Sequence, residues 1–428
     1  MSRDTIFALS SGQPPAAIAI VRISGPHAAF AMSALAGKTY PERVAKLATL
    51  RDPSTGILLD RALVLFFSGP NSATGEDLVE LHLHGGRAVV AAVQRSLVAV
   101  QGLRSAQPGE FTRRAFDNGR LDLAEAEGLA DLLNAETEGQ RRNAIALADG
   151  VLSRSVRGWR EAITMIAAQI EARIDFSDED DVPDDEGMAI QAIRPILTEI
   201  DNMLRAPPAE RLRDGIRVVL GGGPNTGKST LFNALVGREA AIATPMPGTT
   251  RDMIEYPVQL DGVPFVFVDT AGLRESDDEI EQMGMSRARS AMSAADIVLW
   301  LDSPEKCSEP DRVLMVHARC DLPDRDVPPP GCIGVSAKTG TGMFELIANI
   351  VSRGTMLLPK DNELALVARQ RDALHDCAAS LRAMEHSSDI LITAECLREA
   401  RAALDRLTGH AGVEPLLDAL FSRFCIGK

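Results

Sequence analysis

Aromatic side chains are scarce, making up 4% of the chain with two tryptophans and two tyrosines. Rings on which successive bases stack are therefore not the main means by which this protein could hold nucleic acid. Positive charge is also in deficit. Lys plus Arg total 45 against 60 for Asp plus Glu, a formal charge of −15. A field of that sign repels a polyanion at long range and leaves room only for a local basic patch. The cysteines are Cys307, Cys320, Cys332, Cys377, Cys396 and Cys425, and none has the C-x-x-C spacing of a zinc or dithiol site. That excludes a disulfide scaffold and points to reduced thiols. Long apolar runs are missing too. The aliphatic stretch Val89 to Val100 is broken by Gln94 and Arg95, well short of the roughly 18 apolar residues of a membrane span. The start, Met1-Ser2-Arg3-Asp4, carries an acid where a leader would turn apolar. The expectation is a soluble, cytoplasmic protein with no membrane association.

What is present is an ordinary globular balance, 45% hydrophobic and 25% charged over 428 residues, enough for about three domains. Residues 1–117 mix strands and helices. Ala17 to Ile23 and Ala62 to Phe67 are β-like apolar runs, closed by Ser24-Gly25-Pro26 and Ser68-Gly69-Pro70, and Leu78 to His84 alternates apolar with polar before Gly85-Gly86. An α+β module is expected there. From about Leu121 the texture is helical: Ile163, Ile166, Ala167, Ile170 and Ile174 form a core-facing stripe. It returns after Pro359, where Leu397, Ala400, Leu404 and Leu407 lead to a C-cap at Gly409. Between these stretches, 214–355 alternates strands with helices. The expected organisation is one helical domain, 118–213 plus 356–428, with an α/β domain inserted into it, since domain termini commonly lie close together. The acid run from Asp175 to Glu186, which also contains Pro183, is expected to be a solvated loop rather than a metal site.

The inserted segment carries the chemistry. Ile216 to Leu220 is a buried-strand run that enters Gly222-x4-Gly227-Lys228-Ser229, followed by the helix-like Thr230-Leu231-Phe232-Asn233-Ala234-Leu235. Strand, glycine loop and helix are the context of a P-loop. Its backbone N–H groups and helix N-terminus receive phosphates. Lys228 would neutralise the β and γ phosphates and the Ser229 hydroxyl would ligate Mg²⁺. Phe265-Val266-Phe267-Val268 runs into Asp269-Thr270-Ala271-Gly272; Ala295 to Leu301 is a further strand; Val313 to Val316 leads to Ala318-Arg319-Cys320-Asp321; and Ser336-Ala337-Lys338 follows another short strand.

This order resembles the GTPase superfamily, with its P-loop, threonine loop, D-x-x-G, N-K-x-D and S-A-K, and implies a Ras-like G domain with a mostly parallel sheet. Asp321 can accept guanine N1–H and N2–H, a pair that adenine lacks. Ala318 stands where the family has Asn, so one hydrogen bond is missing, worth about 0.5–1.5 kcal/mol. Guanine preference should be weakened rather than lost. Leu273 occupies the place of the water-orienting Gln of Ras-like enzymes, and some other positive charge must meet the developing charge between the β and γ phosphates.

Gly248-Thr249-Thr250-Arg251-Asp252 is similar to the TrmE/Era-type branch. Gly75-Glu76-Asp77-Leu78-Val79-Glu80, His84-Gly85-Gly86, Pro108-Gly109-Glu110-Phe111-Thr112-Arg113-Arg114-Ala115-Phe116, Leu121 to Glu127 and the terminal Phe424-Cys425-Ile426-Gly427-Lys428 resemble the tRNA-modification GTPases of the MnmE (TrmE) family. The resemblance implies a GTP site over Asn225, Thr226, Gly227, Lys228, Ser229 and Thr230, Thr244, Thr249 and Thr250, Asp269, Thr270, Ala271 and Gly272, then Asp321, Ser336, Ala337 and Lys338. It implies Mg²⁺ on Ser229 and Thr250, K⁺ on Asn225, Thr244, Met246 and Thr249 in place of an arginine finger, and Glu281 as the acid that positions water. The N-terminal module would be folate-binding-like and would hold 5-formyl- or methylene-tetrahydrofolate through Arg22, Glu80, Arg120 and Lys428, while Cys425 would serve the tRNA chemistry. Gly12-Gln13-Pro14-Pro15-Ala16-Ala17-Ile18 replaces the family's glycine-rich segment beside that pocket. The implied assembly is a homodimer through the N-terminal domains, paired with the FAD protein MnmG in a heterotetramer acting on the tRNA wobble uridine. Rival functions are an Era-type ribosome-assembly GTPase acting as a binding switch, and a folate-dependent one-carbon enzyme with a regulatory G domain.

Overall fold

Alternation of apolar and polar residues builds the first sheet. Its strands and helices are β1 (Thr5–Leu9), β2 (Ile18–Ser24), α1 (Ala28–Ala36), β3 (Lys46–Arg51), β4 (Leu58–Phe67), β5 (Leu78–His84), α2 (Arg87–Val98), β6 (Leu103–Ser105) and α3 (Glu110–Asp117) in the computed structural model. The structure describes residues 4–175, 186–223, 225–239, 254–269, 291–303, 312–361, 363–387, 389–409 and 414–428. Strand order is β3-β4-β5-β2-β1-β6, with the β1/β6 pair parallel and the other pairs antiparallel. Because side chains alternate across a strand, Ala19, Val21 and Ile23 of β2 and Val79, Leu81 and Leu83 of β5 share one face. They pack with Met32 and Leu35 of α1 and Val93 and Leu97 of α2. On the opposite face, Phe111 of α3 covers Ile6 and Ala8 of β1.

Helices follow: α4 (Leu123–Leu133), α5 (Glu138–Ala148), α6 (Val151–Asp175), α7 (Glu186–Arg205) and α8 (Ala209–Arg213). The acid run between α6 and α7 lies outside the described residues apart from its two ends. The second sheet then begins, with β7 (Ile216–Gly221), α9 (Lys228–Glu239), β8 (Ile254–Leu260), β9 (Val263–Asp269), β10 (Ile297–Trp300), β11 (Val313–Ala318), β12 (Ile333–Val335) and α10 (Met343–Leu357). Its order is β12-β11-β10-β7-β9-β8, parallel except for β8 against β9, the mostly parallel sheet that its continuous apolar strands require. One face buries Val218, Phe265, Phe267 and Leu299 beneath Phe232 of α9 and Leu346 of α10. The other buries Val219, Val266, Val268 and Val298 with Ala291 and Ala295.

The last helices are α11 (Ala368–Met384), α12 (Ile390–Thr408) and α13 (Glu414–Phe421). The chain divides into two compact units, residues 1–133, 145–182 and 387–428 in one and 134–144 and 183–386 in the other. In the first, α12 packs along α6. Ile163, Ile166 and Ile170 of the expected stripe are buried there, while Ala167 and Ile174 are half-buried. Gly409 ends α12 at φ 84°, its N–H donating to the Asp405 carbonyl, as the sequence predicts. Leu417, Leu420, Phe421 and Phe424 cluster with Leu123 and Ala126 of α4. The terminal tail then seats against the end of β1. Gly427 has φ 99°, and a Cβ there would lie 2.1 Å from the Leu9 carbonyl oxygen. Gly109, at φ 68°, would place a Cβ 2.2 Å from the Phe421 carbonyl oxygen. Only glycine tolerates both the conformation and the approach at these positions.

Candidate functional site

The glycine loop leaves the carboxyl end of β7, where ligands of open parallel sheets bind. Gly222 and Gly227 have φ of 134° and 102°, and Asn225 is left-handed at φ 58°. Lys228, first residue of α9, folds its ammonium over the loop, donating to the carbonyls of Gly222 (2.8 Å) and Gly223 (2.6 Å). The Thr226 hydroxyl donates to Gly223 O at 3.0 Å, and Asp302 Oδ2 accepts the Gly223 N–H at 3.2 Å. A cation, a curled backbone and a helix N-terminus thus converge on one point, the requirement for an anion such as a polyphosphate. Asn225, Ser229 and Thr230 are exposed at this mouth, and Thr226, Gly227 and Lys228 are half-buried.

A second loop closes on the first. Ala318 ends β11 and is buried, and Arg319 turns left-handed at φ 63°. Both lie against the P-loop: a Cβ on Gly227 would be 3.5 Å from Ala318 Cβ and from Arg319 Nε. The Cys320 N–H donates to Val335 O of β12 at 3.2 Å, which brings Asp321 beside Ser336. Ser336 is fully buried. Its hydroxyl donates to Asp321 Oδ1 at 2.7 Å and accepts from the Thr339 N–H at 3.2 Å. That hydroxyl is the main cause holding the Asp321 carboxyl below the usual carboxylate range. Ionised, Asp321 is an acceptor for two adjacent N–H donors.

On the open face of the first sheet, Arg22 stands opposite Glu80 in the β2/β5 register. Its Nε and Nη2 both donate to Glu80 Oε1, at 3.1 and 2.7 Å. Burial pushes the Glu80 carboxyl up, but Arg22 and His82 outweigh it and leave the group lowered. The structure therefore brings Arg22 and Glu80 together. Arg120 is exposed, its Cγ 3.2 Å from where a Cβ on Gly75 would sit. Lys428 is half-buried, its N–H donating to Cys425 O at 3.2 Å. Neither forms an ion pair with Arg22 or Glu80 among the described residues.

Known proteins resemble this chain over nearly its whole length. A family model described as the GTP-binding protein TrmE N-terminus matches residues 5–120, and one described as the MnmE helical domain matches 123–425. A tRNA modification GTPase MnmE of Erythrobacter litoralis is 53% identical over 99% of this chain and 100% of its own. The Novosphingobium aromaticivorans protein of that name is 52% identical over 99% and 100%, and that of Rhizorhabdus wittichii 54% over 99% and 97%. The chain belongs to the MnmE family of tRNA modification GTPases.

Two MnmE motifs have structural work that the sequence reasoning missed. Arg114, buried in α3, bonds Asp4 Oδ1 at 3.0 Å, Glu76 Oε2 at 3.0 Å and Glu110 Oε1 at 3.1 Å. Ser24 Oγ donates to Glu76 Oε2 at 2.8 Å and meets Thr74 Oγ1 at 2.7 Å. Burial would raise the Glu110 carboxyl, yet Arg104, the Gln107 N–H and Arg114 hold it below its ordinary value. The signal is in the sequence: Glu76 stands in one motif, before β5, and Glu110 and Arg114 stand one turn apart in the other, on a helix that turns Phe111 and Ala115 inward. Among the cysteines, burial pushes the Cys377 thiol up to about 12 and raises that of Cys396, which makes both poor nucleophiles. Cys425 is exposed. Ala337 and Lys338 follow β12 beside Ser336, and β9 ends on Asp269. Thr244, Met246, Thr249, Thr250, Thr270, Ala271, Gly272 and Glu281 lie outside the described residues. No helix of the described residues is long and apolar enough to cross a membrane.

Proposed function

We propose that this tRNA modification GTPase couples K⁺-dependent GTP hydrolysis to the building of an aminomethyl or carboxymethylaminomethyl group at C5 of the wobble uridine. The observation that carries the nucleotide half is Asp321, held ionised by Ser336 on a loop packed against the Lys228 P-loop. In that arrangement Asp321 takes guanine N1–H and N2–H, and Lys228 faces the β and γ phosphates. Ser229 and Thr250 are the Mg²⁺ ligands of the proposal, and Asn225, Thr244, Met246 and Thr249 those of K⁺. The bound cations would supply the positive charge that an arginine finger supplies in other GTPases. Glu281 orients the attacking water.

The modification half rests on the N-terminal unit. Arg22, Glu80, Arg120 and Lys428 hold a tetrahydrofolate one-carbon donor, 5-formyl- or methylene-. The Glu80 carboxylate, anchored by Arg22, meets the amino edge of the pterin, and Arg120 meets the anionic tail of the folate. Cys425, exposed on a tail fixed to β1 by Gly427, serves the transfer to tRNA. MnmG, the FAD protein, shares the tRNA in a heterotetramer in the cytoplasm, which suits a chain of charge −15. Homodimerisation through the N-terminal unit is supported by Leu47 and Leu63. They stand opposite each other on β3 and β4 and expose 70% and 45% of their surface. The G domain of 214–355 is set between helical parts 118–213 and 356–428, so that hydrolysis times a conformational step.

Hydrolysis measured in KCl against NaCl tests the reading. Turnover should be stimulated by K⁺ and fall close to background in Na⁺. Equal rates would remove the cation mechanism and leave a generic switch.

A further inference from the structure

Glu80 projects from β5 with Arg22 of β2 on one side and Leu65 of β4 on the other. Both Arg22 donors go to one oxygen, Oε1. The Arg22 guanidinium is itself backed by Phe111, 6.0 Å from the ring centroid. The second oxygen, Oε2, faces His82, two residues along the same strand and therefore on the same face. His82 Nε2 lies 3.3 Å from Glu80 Oε2, and the two side chains are 25% and 17% exposed. Across the strands His82 meets Ile20 and Leu63, neither of which can bond its ring. Glu80 is the hydrogen-bond partner that the imidazole has among the described residues.

The terminal torsion of a glutamate is soft. A carboxylate held at one oxygen can turn about that anchor, whereas one held at both has a set plane. Recognition of two parallel N–H donors, as on the amino-pyrimidinone edge of a pterin, depends on that plane. Groups that orient a binding side chain matter to the site although they do not touch the ligand. We propose that His82 is a positioning residue: with the proton on Nε2 it fixes the free oxygen of Glu80, so that the carboxylate presents a constant plane to the pterin edge of a reduced folate. The proposal rests on the folate reading given above, and His82 is not among the residues that reading assigns.

The test is equilibrium binding of 5-formyltetrahydrofolate to the purified full chain at neutral pH, for wild type, Glu80→Gln, His82→Phe and His82→Gln. His82→Phe removes the donor and should weaken binding by about tenfold or more, the loss expected for a hydrogen bond to an ionised group. His82→Gln restores an N–H at similar reach and should stay within about threefold of wild type, less than the loss of one neutral hydrogen bond. Melting temperature and far-UV circular dichroism should be unchanged in both. Wild-type affinity in His82→Phe, with Glu80→Gln impaired, overturns the role of His82 and leaves the folate reading standing. Equal weakening in His82→Phe and His82→Gln overturns it as well. A wild-type protein that does not bind, or that binds equally as Glu80→Gln, overturns the folate reading and the proposal together.

Discussion

The nucleotide loop and the open face of the first sheet are built on opposite plans. Gly222 to Ser229 is one strand-loop-helix passage, and its internal bonds join residues three to six apart. The face around Glu80 is assembled from Arg22, 58 positions away, and in the same unit Arg114 reaches Asp4 across 110 positions. The C-terminal tail touches Leu9, more than 400 positions back along the chain. A site made from neighbours in the chain tolerates change elsewhere. A site made across the chain depends on register and on every long-range tie.

Breaking those ties should have the largest effect. Arg114→Leu leaves the carboxylates of Glu76 and Glu110 half-buried without their shared partner, and should cost about 3–5 kcal/mol, as removal of one member of a buried ion network does. Urea unfolding followed by hydrogen exchange in residues 5–120 checks this, and a loss below about 1 kcal/mol would place the network among ordinary surface pairs. On the contiguous side, Lys228→Ala should lower kcat for GTP by about 10²–10³, as loss of one preorganised donor does, while exchange in the first unit stays as in wild type. Gly427→Ala comes next, with φ 99° and a carbonyl 2.1 Å from the new methyl. It should lift the tail at a cost of about 1–3 kcal/mol, the range for a strained backbone position, seen as faster exchange in 421–428 only.

The two smallest effects lie in the base-reading loop. Ser336→Ala removes the main group that keeps the Asp321 carboxyl low. A carboxyl with a depressed pKa stays ionised to lower pH, so protonation of Asp321 should not limit wild-type GTP binding until the pH falls below the ordinary Asp value of about 3.9. The variant should bind about fivefold more weakly, the scale of one hydrogen bond, and begin to lose affinity at higher pH than wild type. Ala318→Asn should tighten GTP by a factor of about 2–10, the restored bond. Unchanged affinity would mean that the contact of Ala318 and Arg319 with Gly227 already braces the loop.

The same contrast explains how much could be read in the sequence. Strands β7, β9, β10 and β11 are buried on both faces, so they appear as continuous apolar runs, and the motifs at their ends mark the nucleotide site in order. The Gly409 cap was legible for a similar reason, since a cap is local. β1, β3 and β6 carried no comparable signal: β3, Lys46–Arg51, buries only Ala48 and Leu50, and β6 is three residues long. The Arg114 network, the hold of His82 on Glu80 and the seat of Gly427 on Leu9 depend on register between distant segments. No spacing rule reports that. Arg22 and Glu80 were named through resemblance, and their bond became visible only in the sheet.

The coupling of greatest consequence is that GTP hydrolysis here serves the chemistry of a tRNA base. Its most direct test is mass-spectrometric analysis of wobble uridine in tRNA from cells lacking this protein, with and without complementation by wild type or Lys228→Ala. The C5 aminomethyl-type modification should disappear on deletion, return with wild type and stay absent with Lys228→Ala. Normally modified uridine in the deletion cells would contradict it.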